Sequence, residues 1–220
     1  MKSRGSGGLL NMVAIHILHL LIGIHRRVFK KVEMNYKRKK LQTELDSLLG
    51  ESINNVFYFT EYEGYDVFQQ LSHETVEVPL LGILLETSSE RFYNIISYDY
   101  APYYNLGGVH VFRDEFLKTP QGRPNQINEV FWNDFRKKKI TNIFIIENFY
   151  KKSEEEISIP FGLNLVFEGG EECFIMNLSI EGFIESNQSY DFCRGGELVL
   201  LSGRNTYDKY PILKENMFYI

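Results

Sequence analysis

Residues Phe161–Leu178 read FGLNLVFEGGEECFIMNL. Two apolar runs rich in branched and aromatic residues flank Gly169-Gly170, and such runs suit a pleated strand. Glycine lacks a Cβ, so the pair accepts the positive φ of a tight hairpin turn. The stretch therefore predicts a β-hairpin, Phe161–Glu168 turning into Glu171–Leu178.

The same pattern occurs earlier. Leu84–Ser97, LLETSSERFYNIIS, matches Val166–Ser179, VFEGGEECFIMNLS, at an offset of 82. Upstream, Ile53–Phe57 (INNVF) matches Ile140–Phe144 (ITNIF) at an offset of 87. Downstream, Gly107–Val111 matches Gly195–Val199 at an offset of 88. Three matches in one order predict a tandem duplication. Each copy starts with a helix, from Leu41, Leu45, Leu48 and Leu49 or from Val130, Phe131, Trp132 and Phe135. A strand follows (Ile53–Phe59 or Ile140–Ile146), then a loop, then the hairpin. In the first copy the hairpin is Leu80–Glu86 with Glu90–Ser97. A last strand, Gly108–Phe112 or Glu197–Leu201, closes the unit after two glycines.

The expected fold class is α+β: a tandem α-β-β-β-β unit with about eight main strands in antiparallel meander sheets. The first repeat covers 41–116. Residues 117–126, LKTPQGRPNQ, form a linker punctuated by Pro120, Gly122 and Pro124. The second repeat and a C-terminal tail cover 127–220.

Residues 1–40 differ in composition. They hold ten Lys and Arg and one acid, Glu33, for a net charge of +9. The remaining 180 residues carry −14, which reproduces the total of −5. An acidic body repels phosphate backbones, so nucleic acid is not the expected partner and a basic protein is. Leu9–Ile24 has twelve apolar residues of sixteen, short of the ~20 a spanning helix needs. HRRVFKK follows where a signal peptide would place small residues, which argues against secretion. Three readings stay open for 1–40: an over-extended start ahead of Met34, a membrane anchor, or an amphipathic helix with another use. The expected location is cytoplasmic, with inner-membrane anchoring if Leu9–Ile24 inserts.

The chemistry-bearing residues are few. No phosphate loop or nucleophile elbow occurs, and no cofactor motif. Cys173 and Cys193 are too few for a disulfide framework or a cysteine-built zinc site, and read as reduced thiols. His16 and His19 lack a third ligand. His110 falls in an apolar strand opposite a counterpart Leu198, and His73 in a solvated loop. Glu86, Glu90, Glu168, Glu171 and Glu172 flank hairpin turns, where solvation rather than acid–base work is expected. No catalytic or metal residue is assigned.

Binding residues are easier to name. Tyr98-Asp99-Tyr100-Ala101-Pro102-Tyr103-Tyr104 reads as a loop with four tyrosines and an aspartate around a proline. Tyrosine offers large contact area at little entropic cost. The matching stretch of the second copy carries Tyr190 and Asp191. The expected partner-binding set is Tyr98, Asp99, Tyr100, Tyr103, Tyr104, Tyr190 and Asp191.

A short helix, INNVFYF, the hairpin LVFEGGEECFIM and the closing GGELVLL resemble small duplicated bacterial proteins. Some of these are similar to immunity proteins of contact-dependent or polymorphic toxin systems. The resemblance spans about 40–203 and rests on strand signatures. It implies a non-enzymatic immunity-type protein that occludes a basic toxin with acidic and tyrosine-bearing loops. The alternatives are a small-ligand or enzymatic module with a cleft between the repeats, and a membrane-tethered structural protein.

Overall fold

The computed structural model describes residues 34–59, 75–80, 82–101, 106–114, 129–152, 155–178, 197–209 and 217–219. Leu9–Ile24, His16, His19, His73, the 117–126 linker, Tyr103, Tyr104, Tyr190, Asp191 and Cys193 lie outside them. The chain divides into 1–40 and 41–220. Of the first unit, 34–40 is described, and it is helical.

Helix α1 runs over 34–48. Leu41, Leu45 and Leu48 follow helical spacing and are buried, whereas Gln42, Thr43 and Asp46 face out. Ten strands follow among the described residues: β1 (Ile53–Phe59), β2 (Val76–Leu80), β3 (Gly82–Thr87), β4 (Phe92–Ala101), β5 (Leu106–Asp114), β6 (Ile140–Lys152), β7 (Glu155–Phe167), β8 (Glu172–Leu178), β9 (Glu197–Ser202) and β10 (Met217–Tyr219). Helix α2 (Glu129–Asn133) precedes β6, and a helical turn, α3 (Arg204–Tyr207), follows β9. The fold is α+β, mostly strand, in two antiparallel sheets ordered β1-β3-β4-β5 and β10-β6-β7-β8-β9-β2.

One core holds the inner faces of both sheets: Val56, Ile83, Leu85, Ile95, Val109 and Val111 from the first, Leu163, Leu165, Ile175, Leu198 and Leu200 from the second. Leu41, Leu45 and Leu48 of α1 and Phe131 and Trp132 of α2 fill the same core, and Phe135, just after α2, joins them. At its rim Asn177 is fully buried. Its amide donates to Ser97 Oγ at 2.9 Å and to the Gly108 carbonyl at 2.7 Å, joining β8 to β4 and β5.

The two strand series cross where their helices end. Gly50 N–H donates to the Ile140 carbonyl, and Lys137 N–H donates to the Ile53 carbonyl. Ser88 N–H donates to the Ser52 carbonyl, and Glu168 N–H to the Lys139 carbonyl. β1 against β3 skips a residue between Ile53 and Asn55, and β6 against β7 skips one between Ile140 and Asn142.

Three sequence expectations need correction. The stretch between β1 and β3 is not only loop: it contains β2, which leaves the first sheet and pairs with β9 at the edge of the second. Pro79 lacks a backbone donor and suits that edge position. The hairpins also align differently. Thr87 N–H closes on Arg91 as Phe167 N–H closes on Glu171, an offset of 80 rather than 82. His110 pairs with Ile96 and Val199 pairs with Met176, so the ladder position of His110 on β5 matches that of Val199 on β9 rather than that of Leu198. A slip of one residue exchanges the two faces of a strand.

Candidate binding face

Tyr98-Asp99-Tyr100-Ala101 is not a loop. It is the end of β4, held by β5 through Tyr98↔Gly108, Asp99↔Gly107 and Ala101↔Leu106. Gly107 and Gly108 both belong to β5 and are buried. The strand continues because its neighbour continues: ladder hydrogen bonds satisfy backbone groups that a buried loop would leave unpaired.

Side chains alternate across a strand. On β4 and β5, Tyr93, Ile95, Val109 and Val111 turn to the core. Ile96, Tyr98, His110 and Phe112 turn to the other face, and all four are half-buried. With a glycine opposite, the Tyr98 ring leans diagonally toward His110, and their centroids lie 5.1 Å apart. His110 in turn stacks at 6.2 Å on Phe112. Phe57 of β1 lies half-buried on the same face, separated from Phe112 by the buried Leu84 and Asn94. At the border Asn55 donates to Glu86 at 2.6 Å, so Glu86 is held in place by a partner rather than merely solvated. The result is an aromatic strip with an acid at its edge. Aromatic faces can stack on a partner's rings or attract its cations, and imidazole adds a hydrogen-bonding site.

The second sheet buries apolar side chains on its face away from the shared core. Phe174↔Leu201 and Met176↔Val199 are fully buried there. α3 packs on Phe174: Tyr207 stacks on it at 4.3 Å, and the Arg204 guanidinium lies 4.7 Å above its ring. Arg204 grips Glu172 with two donors, at 2.6 and 3.2 Å, and Asn164 donates to the same carboxylate at 2.6 Å. Glu172 is thus part of a packed ion pair, which corrects its reading as a solvated turn acid.

Glu171 and Cys173 have defined surroundings. Glu171 bonds Lys138 at 2.5 Å, and that hydrogen bond holds its carboxyl below the ordinary value. Cys173 is a free thiol inside the core, and burial pushes its pKa well above the ordinary thiol value. Among the described residues, no three His, Cys, Asp or Glu side chains are grouped to hold a metal ion. No described helix is long and apolar enough to cross a membrane.

No protein-family model, curated protein or solved structure matches this chain. The site therefore rests on its own geometry. Of the expected binding residues, Tyr98 lies in the aromatic strip. Asp99 and Tyr100 follow it along the β4 backbone, and the other four lie outside the described residues. Phe57, His110 and Phe112 were absent from the expected set. The signal for Phe112 was present in GVHVF, where alternation puts His110 and Phe112 on the face opposite Val109 and Val111.

Proposed function

We propose that the chain is a non-enzymatic protein-binding module of immunity type, built as a tandem duplication, and that it holds a basic partner on the outer face of its first sheet. The duplication is supported by the reciprocal Gly50–Ile140 and Lys137–Ile53 bonds and by the shared bulge position. It is supported too by the common order β1-β3-β4-β5 and β6-β7-β8-β9. Duplicated halves start with equal faces, so a difference between those faces marks specialisation. One observation carries the binding reading: Ile96, Phe112 and His110 are half-buried where Met176, Leu201 and Val199 are fully buried. The acidic body supplies long-range attraction for a basic partner, and the aromatic strip supplies anchors.

The test begins with a pull-down from the native host and continues with titration of the recovered, identified protein. Tyr98→Ala and Phe112→Ala variants are compared with Phe144→Ala, which alters an exposed aromatic on β6. An anchor truncation weakens binding by about 2 kcal/mol or more, and the control leaves it unchanged. Equal affinity for Tyr98→Ala, His110→Ala and Phe112→Ala overturns the assignment of this face. Turnover of a substrate, lost on His110→Ala, overturns the non-enzymatic reading itself.

A further inference from the structure

We propose that the cationic run Lys37-Arg38-Lys39-Lys40 on α1 is a docking surface for an anionic lipid bilayer. The inference does not rest on the protein-binding reading. Residues 34–40 contain four cations and no acid, and Arg38, Lys39 and Lys40 are exposed. Tyr36 is 69% exposed beside them, an amphipathic ring of the kind found at membrane interfaces.

The order of charges along α1 runs against the helix macrodipole. The cations come first and Glu44 and Asp46 come later. The helix macrodipole favours the opposite order. Lys40 and Glu44 stand four apart with the cation N-terminal, the weaker of the two orientations.

Continuity in the sequence selects the partner. Arg26, Arg27, Lys30 and Lys31 precede the run, and the apolar stretch Leu9–Ile24 precedes them. Basic residues next to an apolar segment are the two signals that together give stable membrane association. A bilayer offers both anionic headgroups and an apolar interior, whereas a nucleic acid offers only the charge. The net −14 of residues 41–220 is repelled by the same lipid surface, which leaves contact to the cationic segment.

The experiment is flotation of the full chain with phosphatidylcholine vesicles, with and without phosphatidylglycerol, at low and high salt. Lys37, Arg38, Lys39 and Lys40 are then all changed to Gln. These residue types have similar helix propensities, and circular dichroism checks that α1 is kept. The native chain is expected to float with the anionic vesicles at low salt, with salt weakening the binding. The fourfold Gln variant should bind at least about tenfold more weakly, and a Lys37→Arg, Lys39→Arg, Lys40→Arg variant should bind as the native chain does. Equal flotation with neutral vesicles overturns the proposal, as does undiminished binding by the Gln variant. Failure to float, or preference for a single-stranded oligonucleotide over the anionic vesicles, also overturns it.

Discussion

The Trp132 indole N–H donates to the Tyr58 hydroxyl at 2.7 Å, and both side chains are buried. The bond ties α2 to β1, elements 74 residues apart. Tyr58→Phe keeps the ring and removes the acceptor, so the indole N–H is left without that partner inside the core. The expected cost is about 1–3 kcal/mol. Trp132 is the single tryptophan, so its fluorescence in a urea titration reads the loss directly. An unchanged midpoint with an unchanged slope refutes the importance of this bond.

Gly50 and Lys137 both adopt positive φ, 85° and 65°, at the two crossing bonds. A side chain is strained in that region, and glycine is not. Lys137→Gly is expected to stabilise by about 0.5 kcal/mol, because the relieved strain exceeds glycine's greater unfolded-state entropy. Gly50→Ala should destabilise by about 1 kcal/mol. Thermal melts check both, and a destabilised Lys137→Gly protein contradicts the strain argument.

Two ion pairs of opposite polarity fasten helix ends to hairpin turns. Glu51 pairs with Arg91 at 3.4 Å, and Lys138 with Glu171 at 2.5 Å. Exchange of hairpins between the two strand series would place Glu51 beside Glu171 and Lys138 beside Arg91. Glu171→Lys should lower the urea midpoint, and Lys138→Glu with Glu171→Lys should restore it; no recovery in the double variant removes the pairing from the account. The pH dependence has a definite sign. The Glu171 pKa is lowered in the fold from 4.5, so its contribution is present above that value. It is lost as pH falls through the lower folded pKa. Glu171→Gln should therefore flatten the acid side of the stability profile, and a profile identical to the native one counts against the pair.

Cys173 is fully buried, and its raised pKa keeps it a thiol across the neutral range. Thiolate is the reactive form. In the native protein an aromatic disulfide reagent should therefore leave Cys173 unlabelled, and labelling should appear with unfolding in urea. With Cys193→Ser as the background, the labelling rate reports Cys173 alone. Rapid native labelling of that variant would show that the core opens locally at β8.

Much of the local structure was legible in the residues. β1 spans Ile53–Phe59 as expected, and the spacing of Leu41, Leu45 and Leu48 marks the buried stripe of α1. The second hairpin turns at Gly169-Gly170, where positive φ is needed. Turn chemistry and helical spacing act over a few residues, so a short window contains their whole cause. The candidate face was only partly legible. The tyrosine cluster marks Tyr98, but His110 and Phe112 become its neighbours only through the β4–β5 register.

Long-range pairing decided the rest. VEVPL carries no sign that it pairs with β9 rather than with its sequence neighbours β1 and β3, because an edge accepts any strand able to present its donors and acceptors. Register across β8 and β9 was hidden for a related reason. Phe174, Ile175, Met176, Leu198, Val199, Leu200 and Leu201 are all buried, so both faces are apolar and alternation cannot tell them apart. The residues by themselves determined most of the strand segments and the turn at Gly169-Gly170. Only the tertiary structure decided which strands meet and which faces they close, because those choices rest on hydrogen bonds and buried contacts between residues far apart in the chain.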